Sequence, residues 1–304
     1  MVTQPARSAV RTTTPAVARS RFNRFVPLWM LLPTLLILLA LQLYPALYSV
    51  YLSFNRIQAG NLIWVGTRNY ERLFRDARFI ESLGTSVVFV GCYLVLTLSI
   101  GMLIAVLLNQ RVKLTSLYMV LLFIPWVVSD VVAGTMWRWL FQQDYGIIQQ
   151  WLNPFTNNVS LYANPTGSMI IVILASVWRA LPFTSLVFLG ALQTVPREVL
   201  ESAAMDGASR ITSFSRISFP LIRPTFIVVT IFTTIGGLNA VGLILTLTGG
   251  GPGGATQTSG VYLYKIGWQF GDFGQGAAIS VVLFLINLVA TLFYLQFQRE
   301  RTMG

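Results

Sequence analysis

Residues Ser82 to Gln110 read SLGTSVVFVGCYLVLTLSIGMLIAVLLNQ, 29 positions without an aspartate, glutamate, lysine or arginine. About 20 apolar residues, rising ~1.5 Å each, cross the hydrocarbon of a bilayer as an α-helix, so this stretch is long enough to span one. Val26 to Asn55 is also free of charge, with Pro33 and Pro45 inside it, where neighbouring helices can accommodate them. Leu114 to Trp137 is interrupted only by Asp130, and Ser168 to Gln193 only by Arg179. Pro224 to Thr248 and Gly274 to Gln298 complete the series. The pattern predicts an all-α, polytopic membrane protein with six transmembrane helices, at about 26–54, 82–110, 114–137, 168–193, 224–248 and 274–298.

Composition agrees with lipid as the solvent of much of the surface. Hydrophobic residues make up 55% of the 304 and charged residues 10%, against about 25% charged in soluble domains. The net charge is +11, and its placement favours membrane topology over nucleic-acid binding. Arg7, Arg11, Arg19, Arg21 and Arg24 precede the first apolar run with no acid among them, as expected of a cytoplasmic flank. Residues 1–25 are expected to form a disordered basic cytoplasmic tail. The run that follows exceeds a signal-peptide core of about 7–15 residues and lacks a clear cleavage site, so it reads as the first span. Six spans put both termini inside, with 111–113, 194–223 and Arg299-Glu300-Arg301 cytoplasmic. Segments 56–81, 138–167 and 249–273 face outward. Lysines and arginines then number 13 inside and 7 outside. Segment 56–81 holds five of the outer arginines, partly offset by Glu71, Asp76 and Glu81. Its Tyr70, Leu73, Phe74, Ala77 and Ile80 recur at three and four, predicting an amphipathic helix at the outer interface.

Groups for catalysis are scarce. There is no histidine and one cysteine, Cys92, which removes the commonest metal ligand and any internal disulfide. No metal site is expected. The two lysines are followed by Leu114 and Ile266, so neither completes a phosphate-binding G-x-x-x-x-G-K-[ST] loop. The chain therefore cannot hydrolyse ATP by that route, and any such energy must come from another subunit. Gly249, Gly251 and Gly254 satisfy G-x-G-x-x-G, but a span rather than a strand precedes them, which reads as a permissive outer loop.

Segment 194–223 is long for a connection between spans. Pro196 fits a first helical turn, Glu198 and Glu201 lie near its N-terminus, and Leu200, Ala203 and Ala204 share a face that Gly207 continues. Gly207 is a natural stop. Ser209 caps a second helix carrying Ile211, Phe214 and Ile217, ended by Pro220, with Pro224 opening the next span. The result is a cytoplasmic helix-turn-helix that packs either on its own bundle or on another subunit.

Glu201-Ser202-Ala203-Ala204-Met205-Asp206-Gly207-Ala208, followed by Ile217-Ser218-Phe219-Pro220, resembles the "EAA" signature of permease subunits of ABC importers, E-A-A, three residues, G, nine residues, I-x-L-P. Ser202 and Phe219 depart from the consensus, conserving small size and apolarity. Gly66-Thr67-Arg68-Asn69-Tyr70, the stretch Phe79 to Ser86, and Leu247-Thr248-Gly249-Gly250-Gly251-Pro252 with Thr256 and Tyr264 resemble sugar-type permeases. The glycine-rich loop resembles the larger-type half of maltose, trehalose and glycerol-3-phosphate systems. The resemblance implies a multi-pass protein of a bacterial or archaeal plasma membrane. It implies four kinds of partner: a second permease half, two copies of a cytoplasmic ATPase, an external solute-binding protein, and the bilayer. ATP and magnesium would be used by the ATPase, with no cofactor on this chain and no nucleic acid. By resemblance, Glu201, Ser202, Ala203, Asp206, Gly207, Ala208, Phe214, Ile217 and Pro220 form the ATPase-coupling segment.

Asp130 and Arg179 are charges inside apolar runs, where charge is costly and paired or functional. They read as a pair, a snorkelling end or a cavity wall. The alternative is the relay of an ion-coupled secondary transporter, although no internal repeat typical of that class is evident. A purely structural subunit of a membrane complex is a third reading. Trp126, Trp137, Trp139 and Trp178 read as interface anchors or as platforms for sugar rings. Gly236-Gly237-Leu238-Asn239 either breaks the fifth span beside a cavity or packs tightly. Candidate pathway residues are Trp126, Asp130, Trp178, Arg179 and Asn239. The uncharged Thr230, Thr233, Thr234, Asn239 and Asn287 suit a neutral polyol.

Overall fold

The computed structural model describes residues 26–58, 60–110, 115–156 and 159–299. The basic tail 1–25, the expected cytoplasmic loop 111–113 and residues 300–304 lie outside them. The chain divides into two units, 1–48 and 49–304.

The first helix, α1 (Val26–Leu38), passes through a π-helical turn, Leu39–Leu43, into α2 (Tyr44–Ser53). The Tyr44 N–H donates to Leu39 O, five residues back. Pro45, which lacks an N–H and whose ring would crowd the fourth carbonyl behind it, follows directly. The widened turn relieves that clash without ending the helix.

The second unit contains a hairpin, β1 (Asn55–Gln58) and β2 (Asn61–Trp64), with Asn55 opposite Trp64. Helix α3 (Arg68–Arg75) follows, then α4 (Ala77–Leu108). The expected amphipathic helix through Ile80 is broken at Asp76, whose backbone is extended and whose carboxylate accepts from the Arg78 N–H at 2.9 Å. Asp76 thus caps α4, and the second span starts at Ala77 rather than Ser82. The hairpin was absent from the sequence expectation. Buried Asn69 fixes it, donating to the carbonyls of Ser53 and Asn55 at 2.8 and 2.9 Å.

The run 114–137 is not one straight span. It forms α5 (Thr115–Val127) and α6 (Asp130–Leu140), and the stretches Leu117–Val127 and Asp130–Leu140 meet at 98°. Pro125 weakens the end of α5, and extended Ser129 caps α6 by accepting from the Val132 N–H. Outside the spans, α7 (Ile147–Thr156) precedes α8 (Pro165–Gln193), which Asn164 caps. Next come α9 (Arg197–Met205), α10 (Arg210–Ser213), a π-turn over Phe214–Ser218 and α11 (Phe219–Leu238). Pro220 does not end a helix and Pro224 does not open one, because Arg210–Leu238 is continuous. The Phe219 N–H donates to Phe214 O immediately before Pro220, repeating the device seen at Pro45. Helix α12 (Gly242–Leu247), α13 (Ser259–Tyr264) and α14 (Phe273–Arg299) complete the fold. Five described helices are long and apolar enough to cross a membrane, and a sixth crossing is formed if α5 and α6 count together.

Helices α4 and α8 form the centre of this unit. Around Phe89, Val90 and Tyr93 pack Ile171, Val172 and Ala175 of α8, Ala133 of α6, and Leu243, Ile244 and Leu247 of α12. Farther along, Leu98, Met102 and Ala105 meet Phe188, Leu189, Ile222 and Val229. Gly134 lets α6 touch α12. A Cβ there would collide with the Thr246 hydroxyl and come within 2.8 Å of Leu243 O. Gly134→Leu is expected to lower the melting temperature of the detergent-solubilised protein by several degrees, for overpacking of ~1–3 kcal/mol. Gly84→Leu, with nothing within 4 Å of its new Cβ, is the near-neutral comparison.

Candidate functional site

Arg179 lies 14 residues from each end of α8, at mid-depth for a helix of that length. Its Nε donates to Val128 O at 3.2 Å and forms an ion pair with Asp130 Oδ1 at 2.9 Å. One side chain thus neutralises an intramembrane acid and satisfies a carbonyl at the α5–α6 bend. Asp130 is the first residue of α6, where the helix dipole favours an anion. Gly242, the first residue of α12, packs against it, so closely that a Cβ would come 2.9 Å from the Asp130 Cβ. A second break, Asn239 to Val241, separates α11 from α12.

Both breaks line one cavity of about 170 Å³, with Tyr93, Asp130, Ser176, Arg179 and Asn239 on its wall. A larger one of about 440 Å³ lies between α11 and α14 and shares Asn239, adding Ser280, Asn287 and Thr291. The Asn287 Oδ1 is buried with no hydrogen-bond partner among the described residues. Of the expected pathway residues, the structure gathers Asp130, Arg179 and Asn239. Trp126 is exposed and Trp178 packs on Trp137, with ring centroids 6.0 Å apart, so neither lines this cavity. Gly236 is on the wall, whereas Gly237 packs on Tyr93. Tyr93 and Ser176 escaped the sequence reading. The available signal was Ser176 lying three residues before Arg179, on the same helical face.

At the other end of the unit, α9 stops in a Schellman turn. The Ala208 N–H donates to Ala203 O and the Gly207 N–H to Ala204 O, with Gly207 at φ +80°. Ser209 caps α10, accepting from Thr212 N at 3.2 Å. Ala203 is buried, while Glu201, Ser202, Asp206, Gly207 and Pro220 are exposed. Ala208, Phe214 and Ile217 are partly covered, and Phe214 packs against Phe219 at 6.1 Å. Beside the turn, Met205 is 88% and Ile211 80% exposed, two large apolar side chains without cover.

In the segments expected to face outward, Tyr262 bonds the Asp76 carboxylate. Burial, then that bond, raises the Tyr262 phenol well above its usual range. Lys265 donates to Gln257 at 2.7 Å beside the glycine-rich loop, and burial lowers its pKa.

Polar groups and helix breaks at mid-depth, in an otherwise apolar bundle, define a polytopic membrane transport protein. The chain belongs to the family described as binding-protein-dependent transport system inner membrane component, matching it over residues 97–302. It is similar to the trehalose/maltose transport system permease protein MalF of Thermococcus litoralis, 32% identical over 275 residues, 90% of this chain and 93% of that one. The arabinooligosaccharides transport system permease protein AraP of Halalkalibacterium halodurans is 34% identical over 274 residues, 89% and 86% of the two chains. A crystal structure of a bacterial ABC transporter involved in import of the acidic polysaccharide alginate has the same fold. Its TM-score is 0.79 at 24% identity, covering 92% of this chain and 98% of that one. The protein is thus a membrane-embedded, non-catalytic permease subunit of a binding-protein-dependent ABC importer. This membership gives no support to the ion-coupled reading.

At Gly207, a β-branched side chain is strained by roughly 1–2 kcal/mol, whereas asparagine tolerates positive φ. In inside-out vesicles, Gly207→Val is expected to raise tryptic cleavage after exposed Arg210 several-fold, with Gly207→Asn close to wild type. Equal cleavage of all three contradicts the turn assignment.

Proposed function

We propose that this chain is one membrane-spanning half of an ATP-driven importer for a neutral, polyhydroxylated solute, a sugar or oligosaccharide, in a bacterial or archaeal plasma membrane. An external binding protein delivers the solute, and a second, homologous permease half completes the pathway. The observation that carries the solute class is the cavity where the two helix breaks meet. It offers hydroxyl, amide and guanidinium groups while its one acid and one base cancel. Such a wall satisfies solute hydroxyls without burying an unpaired charge. The names of two relatives, given for trehalose/maltose and arabinooligosaccharides, support a carbohydrate solute. Neutrality rests on the cavity alone, since other relatives are named for sulfoquinovosyl glycerol and sn-glycerol-3-phosphate, both anionic.

Coupling runs through Glu201 to Pro220. Two copies of a cytoplasmic ATPase bind and hydrolyse magnesium–ATP, one docking on this segment with Met205 and Ile211 as apolar anchors. Closure of the ATPase pair then pushes α9 and the continuous helix Arg210–Leu238. Because that helix ends at the Asn239 break, its displacement moves the cavity wall and opens it to the outside. Both termini are cytoplasmic in this arrangement.

Met205→Asp with Ile211→Asp removes the anchors without touching the chain's own core. Membrane levels should be unchanged, while co-purification of the ATPase and ATP-dependent uptake of maltose-class sugars should fall at least about tenfold, as for loss of interface anchors. Normal uptake by the double variant would remove coupling from this segment. A reporter after residue 304 should read as cytoplasmic and one inserted at Asn157 as external, and the reverse pattern would overturn the orientation.

A further inference from the structure

The pair at the cavity wall uses one edge of the guanidinium. Nε makes both contacts, to Asp130 and to Val128 O, and neither terminal amino group is hydrogen-bonded among the described residues. The pair is not sealed off: Arg179 is 33% and Asp130 44% exposed, on the cavity that Tyr93, Ser176 and Asn239 also line. Arg179 therefore keeps donors for a solute. Unpaired at mid-depth, in a medium of low effective dielectric, that cation would attract and retain any carboxylate or phosphate ester. Asp130 cancels the charge and leaves the donors. Holding the bend does not require the acid, since Val128 O is bonded by Arg179 itself.

We propose that Asp130 is a specificity-determining residue: by neutralising Arg179 it makes the cavity accept uncharged hydroxylated solutes and reject anionic ones. The inference rests on the reading of this cavity as the solute pathway, and it adds the residue that sets the charge the pathway tolerates. It gives opposite signs for the two halves of the pair. Without the acid the wall becomes a cation, and without the base it becomes an anion.

The test uses the full chain in nanodiscs and saturation-transfer NMR with three methyl glycosides. Methyl α-glucoside is neutral, methyl α-glucuronide carries a carboxylate in place of the hydroxymethyl group, and methyl α-glucosaminide carries an amine in place of the C2 hydroxyl. Wild type should favour the glucoside. Asp130→Asn should raise the glucuronide-to-glucoside ratio by about tenfold or more, as for unmasking a buried charge. Arg179→Gln should lower that ratio and raise binding of the amino sugar. A fold defect lowers all three signals together, so opposite shifts in the two variants separate charge selection from structure, and either variant alone retains a signed expectation. Wild-type ranking in the variants, or uniform loss of all three probes in both, overturns the proposal and leaves the solute pathway standing. Wild type binding glucuronide as well as glucoside does the same. Failure of wild type to bind any of the three removes the carbohydrate reading and this proposal with it.

Discussion

A backbone amide or carbonyl inside a bilayer has no water to bond, so every break in a membrane helix must be satisfied by the protein or by a wet cavity. The second unit breaks its helices at mid-depth in two places, Val128-Ser129 and Asn239 to Val241, and much of the structure follows from how those breaks are accommodated. Arg179 bonds the Val128 carbonyl, Ser129 caps the helix beyond it, and Asp130 balances Arg179. Gly134 and Gly242 bring α6 and α12 into contact so that the two breaks lie side by side. Polar groups that would be costly singly become one cavity wall.

The same reasoning links the wall to the proposed coupling segment. A helix that stopped at Pro220 would leave the turn at Gly207 mechanically separate from the membrane. The π-turn before Pro220 absorbs the missing N–H and keeps Arg210–Leu238 continuous from the exposed turn to the Asn239 break. In the proposed mechanism a push at one end is carried to the other along this hydrogen-bonded helix. The Schellman turn adds a fixed geometry between α9 and that lever.

The spans were legible because charge is expensive in hydrocarbon, and runs such as Ser82 to Gln110 simply lack it. Gly207 and Ser209 were legible because stop and cap chemistry is local. Long-range pairing was not. Nothing in the sequence sets Asp130 beside Arg179 rather than at a lipid boundary, and nothing distinguishes Trp178 packed at a tilt against Trp137 from a tryptophan facing a solute. Local signals were also overridden by pattern. Ser129-Asp130 is a good helix start, but it sits in an apolar run that reads as one span. Asp76 is likewise a cap hidden in a helical periodicity. Pro220 and Pro224 were misread as a helix end and a helix start because a π-turn leaves no mark in the sequence beyond the proline itself.

The two breaks meeting in a wet, solute-lined cavity are the central claim, and thiol accessibility tests it most directly. In assembled transporter in native membranes, with Cys92 replaced by alanine, Asn239→Cys should react with a charged, membrane-impermeant methanethiosulfonate, and transported sugar should slow the reaction. Val95→Cys, exposed on the apolar surface of α4, should not react. An inert Asn239→Cys, or equal reaction at both positions regardless of sugar, would contradict a solute pathway at the breaks.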